Sequence, residues 1–486
     1  MPLVVQATGP VKRAKAAPVP IGYTATHYVA PFASVSGASN DYADLGATSW
    51  TNAADSGTPT TLGTAMARAT AGNQVQCAAG VYTGQAQATN WMPSFYPANS
   101  GTAGNEIVFF AATPAATNRG SPSSWSELRI DTPGSITSGD AVMGVSADYG
   151  GTHVIFDGFY ANGTYVPAYS SHGAFIIGKP NVKFRRIYYD YGDDYIGMVT
   201  GQPSDNYVVF WVGTRSTTAS EITDCYLTGN SGYGNHNYAC ITVGYATTNI
   251  VIRNNTFYDV QNGIFVKDDA SDSGNATYGE ISYNRFEACN LLSITIQHVQ
   301  SGEALNIHHN LFLDGAIEND FSGFSASGRQ TYNVYNNTFV GSAAGYVMQQ
   351  DGSGSYESNP SFYNNVLADN ASSVTAFWLA NSLDFATNFA DYSALDHNVY
   401  YDSNGAANFN DGTNRNFTSF KGELTSLPSG VQEANSLETT VTFVGGGDYR
   451  LASNGQGALT ASDVGGPVGC YVTGSEEIGV RASPGY

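Results

Sequence analysis

An asparagine followed by one variable residue and a large apolar residue recurs through the middle of the chain. The copies are NNTF anchored at Asn255, YNRF at Asn284, HNLF at Asn310, NNTF at Asn337, NNVL at Asn365 and HNVY at Asn398. Successive anchors lie 29, 26, 27, 28 and 33 residues apart. A period of this size marks one supersecondary unit stacked on copies of itself, because a single unit cannot bury its own apolar face. Weaker copies run upstream: ITDCYL puts Cys225 in the anchor column, and FRRIYY and VIFDGFY precede it around Ile187 and Phe159.

Each period holds three short β runs, such as IVIRN, NTFYDV and GIFVK, separated by residues that tolerate tight or left-handed turns. One period therefore reads as one three-sided coil. Strands of successive coils pair in parallel at ~4.8 Å, with side chains alternating inward and outward. Phe257, Phe286, Phe312 and Phe339 are expected to stack inside as a ladder. Asn255, Asn284, Asn310, Asn337, Asn365 and Asn398 are expected to form a structural column, each amide bonding the next while its turn takes a strained backbone. An α-solenoid would need apolar residues at three- and four-residue steps and fewer Asn and Gly. The expected fold class is thus all-β: a right-handed, single-stranded, three-sided parallel β-helix with coils of about 26–38 residues.

With 486 residues the chain exceeds an average single domain, but a solenoid grows without the usual size limit. A formal charge of −21, from 40 Asp and Glu against 19 Lys and Arg, repels phosphate backbones and argues against nucleic acid. Five cysteines without C-x-x-C spacing give neither a disulfide framework nor a zinc site. No apolar run is long enough to span a membrane, and the opening residues carry no signal-peptide pattern.

Carried by these repeats, the chain resembles the right-handed parallel β-helix (pectin-lyase-like) superfamily of polysaccharide lyases, glycosidases and phage tailspikes, over roughly residues 26–470. TTLGTAMARATAGNQVQCAAGVYTG (60–84) is similar to the short helix and first coil that open such proteins, with the capping helix expected from about Leu62 to Ala69. DYRLASNGQGALTASDVGGPVGCY (448–471) is similar to closing coils. The expected organisation is an N-terminal arm over 1–25 carrying Lys12, Arg13 and Lys15 and suited to attachment, a cap and first coils over 26–150, central coils over 151–430, and closing coils with a C-terminal cap over 431–486.

Stacked coils present columns of outward side chains at nearly the spacing of successive sugars, so function is sought in columns. Aligning third strands places Lys267 over Gln297 and near Gln349, Asp268 over His298 and Gln350, and Trp378 close below. Amide, acid, imidazole and indole together can hydrogen-bond hydroxyls and stack on a pyranose. A second candidate is the coil lengthened to about 38 residues, where Asp190, Asp193 and Asp194 lie among Tyr188, Tyr189 and Tyr191 as a sugar or calcium site. NGIFVKDD followed by SITIQHV also resembles the catalytic neighbourhood of alginate and chondroitin lyases of β-helix type. That resemblance implies Lys267 as base and His298 beside it, while the family's Arg position reads Gln297 and its calcium carboxylates read Val260 and Asn262.

Glycosidase chemistry needs two carboxyl groups about 5–9 Å apart, and Asp268, Asp269, Asp272, Glu280, Glu303, Glu318 and Asp320 are available. Catalytic candidates are Lys267, Asp268, Asp269 and His298; glycan contacts are Gln297, Gln349, Gln350, Trp378, Tyr188, Tyr189 and Tyr191. Alternation puts the adjacent His308 and His309 on opposite faces, and no metal or other cofactor is expected, calcium being possible without being indicated. The expected function is that of a phage virion surface protein of tailspike type, a trimer by resemblance, that binds host polysaccharide, with or without depolymerising it. A secreted bacterial polysaccharide lyase or glycosidase, and a non-catalytic capsid or tail decoration protein, are the alternatives.

Overall fold

The computed structural model describes residues 22–30, 42–44, 62–84, 92–130, 141–163, 174–191, 208–213, 218–229, 239–244, 247–266, 278–290, 292–297, 304–320, 332–341, 346–351, 360–368, 375–379, 392–402, 408–410, 414–427, 433–452, 468–471 and 478–479. At 42–44, 64, 319–320, 349–351, 375–379 and 408 it describes backbone alone. Three long sheets of 13, 12 and 11 strands run the length of the molecule, here called the first, second and third sheets. The chain visits them in turn, as in Ile250–Arg253, Thr256–Tyr258 and Asn262–Val266, and returns one coil further on in parallel register. The fold is a right-handed parallel β-helix, the hand that parallel crossovers take.

The interior is built from in-register ladders. On the second sheet Phe257, Phe286, Phe312 and Phe339 stack with centroids 4.7, 4.9 and 4.4 Å apart and planes within 5° of parallel. The first and third sheets contribute Ile252–Ile281–Ile307 and Ile264–Ile294–Ile317, all buried.

The asparagine column lies at the corner between the first two sheets. Asn255 donates its backbone N–H (2.9 Å) and its amide Nδ2 (3.0 Å) to Asn284 Oδ1, and Nδ2 also reaches Ile222 O at 2.9 Å. The pattern repeats from Asn284 to Asn310, Asn337, Asn365 and Asn398. Cys225 opens the series by donating its N–H to Asn255 Oδ1 at 2.9 Å. Each anchor follows a left-handed residue, including Tyr283 (φ 56°), His309 (φ 55°) and His397 (φ 60°). Such residues cost roughly 1–2 kcal/mol each in that conformation, and the corner persists because the buried amides are fully bonded.

The ladder ends on an acid. Asn398 N–H donates to Ser436 Oγ at 2.7 Å, and its Nδ2 lies 3.5 Å from both carboxyl oxygens of Glu433. Tyr400 donates to Glu433 Oε1 at 2.5 Å, and Ser436 Oγ donates to the other carboxyl oxygen. Burial pushes the Glu433 carboxyl up to about 7, against the lowering effect of these donors.

Helix α1 (Leu62–Arg68) closes the first coil with Leu62, Ala65 and Met66 fully buried, where the sequence placed a capping helix. The other end departs from the sequence expectation. The cap there is helix α2 (Phe417–Leu424), with Asn416 accepting from Ser419 N–H at 2.9 Å and Phe420 stacked on Phe409 at 4.1 Å. After one last parallel strand, Leu437–Glu438, the chain adds no further coil among the described residues. Instead it doubles back as a strap over the outside of the second sheet. Val441 and Val468 pack on Val366, Ala368 and Val399; Cys470 and Ile478 pack on Leu311 and Leu313. Cys470 N–H donates to Thr338 Oγ1 at 3.0 Å and Gly479 N–H to Tyr283 O at 2.8 Å. The physical reason is visible in the strands: their outward residues here are Leu, Val and Ala, an apolar exterior that needs a cover.

Candidate functional site

The exterior of the third sheet carries most of the residues singled out in the sequence. Ile264, Ile294 and Ile317 face the core, so the next residue of each strand lies on the outer face. Register then defines one row across successive coils: Trp211, Thr242, Phe265, Thr295, Glu318, Gln349, Trp378 and Asn410. Two positions further along, Gln297 follows Ile296, which registers with Asn319, so Asp320 falls in the row of Gln297 and pairs in turn with Asp351.

Register corrects the sequence alignment at one step. Strand Ile317–Asp320 lies between the strands of Gln297 and Gln349, a coil that the alignment passed over. Gln349 therefore shares the row of Thr295 and Glu318 instead of that of Gln297, while Trp378 is its direct neighbour. Gln350 registers with Asn319 and so with Ile296, one position off the row of Gln297. Lys267, Asp268, Asp269 and His298 lie outside the described residues.

Although this row is on the outside of the sheet, it is kept from water: Trp211, Thr242, Phe265, Thr295 and Glu318 expose 4, 2, 2, 1 and 4%. Polar groups in such a place are normally satisfied. Yet Thr242 Oγ1 and Thr295 Oγ1 have no hydrogen-bond partner, each at a cost of roughly 1–3 kcal/mol. The row thus mixes large rings, unsatisfied hydroxyls and a carboxylate, and the next row adds two more acids. Backbone geometry sets their spacing: Asp320 and Asp351 occupy neighbouring strands ~4.8 Å apart, and Glu318 is two residues from Asp320, about 6.6 Å along the strand. Asp351, which sequence reasoning missed, becomes a member only once the intervening coil is counted.

The tyrosines of the lengthened coil divide. Tyr189 sits in the row of Leu227 and Phe257 inside the second sheet, and Tyr191 packs edge-on against it at 5.0 Å, both buried. Neither is available to a glycan, contrary to the sequence expectation, because the strand phase turns them inward. Tyr188 faces outward between Tyr160 and Tyr226. Asp193 and Asp194 lie outside the described residues.

On the first sheet, His308 and His309 do not point to opposite faces. The strand ends at His308 and His309 is left-handed, which breaks the alternation and brings their Nδ1 atoms to 2.8 Å. His308 stacks on Tyr335 at 4.8 Å and lies 3.6 Å from Glu280, while burial first, then His309, holds its imidazole down to about 4. Among the described residues, no group of three or more His, Cys, Asp or Glu is arranged to hold a metal ion.

Neither a family model nor a curated protein matches the sequence. Among solved structures the chain is similar to a family PL6 polysaccharide lyase from Pseudopedobacter saltans, at 10% identity and TM-score 0.43, covering 67% of this chain and 66% of that one. It is also similar to pectate lyase Pel9A, at 14% identity and TM-score 0.47 over 93% and 97% of the two chains. A third is XylC, solved with xylose, at 11% identity and TM-score 0.40 over 74% and 85%. The chain thus spans just under two thirds of the first of these.

Proposed function

We propose that this protein binds an extended polysaccharide along the exterior of the third sheet and hydrolyses it with carboxylates of the Glu318, Asp320 and Asp351 group. The observation that carries the reading is the buried outer row itself. Rings (Trp211, Phe265) alternate with hydroxyls that lack partners (Thr242, Thr295) and lead to Glu318. Those side chains are closed to solvent, so a glycan would meet the half-buried Gln297 and the acidic positions beside the row, with the row as the support beneath them.

Hydrolysis needs one carboxylic acid to protonate the glycosidic oxygen and a second carboxylate either to attack the anomeric carbon or to activate water. These arrangements require separations of about 5–5.5 Å and 6.5–9.5 Å. Asp320 and Asp351 on paired strands, and Glu318 two residues from Asp320, are the carboxylates proposed for these roles. Lyase chemistry from Lys267 is the competing reading, and it differs in product: elimination leaves an unsaturated sugar, hydrolysis does not.

The Tyr- and Asn-rich, Lys-poor composition suits a protein working on extracellular glycans. We place it on a virion surface as a tailspike-type protein, a homotrimer joined to other virion proteins through residues 1–25. The binding claim is tested by affinity electrophoresis through gels cast with neutral and acidic polysaccharides. Trp378→Ala and Gln297→Ala are expected to lose retardation in the gel that slows the wild-type protein, at unchanged melting temperature. Equal retardation of both variants would remove this face from consideration.

A further inference from the structure

Upstream of the strap, the described exterior of the second sheet carries half-buried aromatic rings. Within the described residues the strap reaches only to the coils of Thr256 and Arg285, where Gly479 lies beside both. Beyond it stands an outward row of Tyr160, Tyr188 and Tyr226, extended by Trp125, whose ring lies 4.4 Å from Tyr160 and 5.3 Å from Tyr188. Tyr258, on the next strand, is 41% exposed.

Arg119 sits against this row with its guanidinium 3.6 Å from the centre of the Tyr226 ring. Its Nη1 is buried and meets no acceptor. That is unusual in a chain with 40 acidic residues against 19 basic ones. Arg129, Arg185, Arg186, Arg285, Arg415 and Arg450 each face a carboxylate. Glu127 is engaged by Arg129 at 2.7 Å, while the charges of Asp190 and Glu287 act on the same tyrosines as Arg119. The loop that presents Arg119 is fixed in advance. Ala115 N–H donates to Gly158 O at 2.9 Å, Trp125 Nε1 to Asn118 O at 2.9 Å, and Asn118 Nδ2 to Ser124 Oγ at 2.9 Å. A cation held in place beside aromatic rings, with a donor unspent, matches a ligand that has both an apolar face and an anionic group.

We propose that this surface is a second glycan site, separate from the carboxylate group on the third sheet, and that it selects sugars bearing a carboxylate, with Arg119 as the partner of the uronate group. It relies on the polysaccharide reading for the class of ligand alone, since it shares no residue with that face. A guanidinium can take the carboxylate through two parallel N–H···O bonds, while the exposed Tyr258 beside Tyr226 covers the pyranose.

The test is calorimetric titration of the full chain with hexamers of galacturonate, mannuronate, guluronate and glucuronate, and with neutral cellohexaose and xylohexaose. At least one uronate hexamer is expected to bind. Arg119→Gln should weaken it tenfold or more, and Arg119→Lys should restore part of the loss. Absence of binding by all uronate hexamers at millimolar concentration, or equal affinity of Arg119→Gln and wild type, would overturn the proposal. Loss in Trp378→Ala with retention in Arg119→Gln would overturn it too, while supporting the third-sheet site.

Discussion

Two rows of polar residues run along this solenoid out of reach of water, and they are built in opposite ways. The asparagine column inside the first corner is fully bonded: every amide from Asn255 to Asn365 gives and receives, and the last is met by Ser436 and Glu433. The outer row of the third sheet is as dry, yet it leaves Thr242 and Thr295 without partners and sets a carboxylate beside them. Burial of polar groups is tolerated where each is satisfied. A satisfied row is architecture, and an unsatisfied one costs stability.

Substitutions should separate the two rows. The largest effect is expected from Asn310→Ala. Asn284 N–H and Nδ2 both donate to Asn310 Oδ1, and Asn310 Nδ2 serves Ile281 O, so several buried groups lose their partners at once. Unfolding in urea should show a loss of about 3–5 kcal/mol, each orphan costing roughly 1–3 kcal/mol; a loss under about 1 kcal/mol would mean the ladder is not what holds the corner. Next, Asp351→Asn should lower polysaccharide hydrolysis by about 10²–10⁴-fold with an unshifted melting temperature. Equal loss of stability and activity would instead make Asp351 a structural residue.

The end of the ladder gives a pH signature. Glu433 is raised in the fold relative to the free side chain, so its protonated form is favoured there. Its contribution to stability is complete below the ordinary carboxylate range and is lost as pH rises through about 7. Glu433→Gln, which mimics the neutral acid, should gain on wild type in melting temperature between pH 5 and 8. The slope is at most about 1.4 kcal/mol per pH unit within the window, and a constant difference would mean Glu433 does not titrate there. The smallest effect on stability is expected from Thr295→Val, which deletes an orphaned hydroxyl: a gain of about 0–1 kcal/mol with weaker glycan retardation. Clear destabilisation would show that the hydroxyl is satisfied after all, and the contrast between the rows would fail.

The periodic parts of this molecule were readable because stacking writes the same constraint once per coil. The Phe257–Phe339 ladder and the Asn255–Asn398 column follow from that repetition, whereas helix α1 was placed by the resemblance of residues 60–84 to the helix that opens such solenoids. Features that break the period were not readable. Residues 448–471 look like further coils, and only the apolar exterior of Val366, Leu311 and their neighbours reveals why part of this stretch turns back as a strap. His309 ends the two-residue alternation through its left-handed backbone. The candidate site suffered from one uncounted strand: Ile317–Asp320 is short and contains three polar residues, so it carries little β signal, and missing it hid the pairing of Asp320 with Asp351. The signal was present in the spacing between Asn310 and Asn337, which leaves room for a complete coil.

Incubation of the wild-type and Asp351→Asn proteins with a panel of acidic and neutral polysaccharides, following reducing ends together with absorbance from unsaturated products, tests the central claim most directly. The account predicts that the wild-type protein releases reducing ends from one polymer without unsaturated products, and that Asp351→Asn binds that polymer and does not cut it. Unsaturated products from the wild-type protein, or undiminished release by Asp351→Asn, would contradict it.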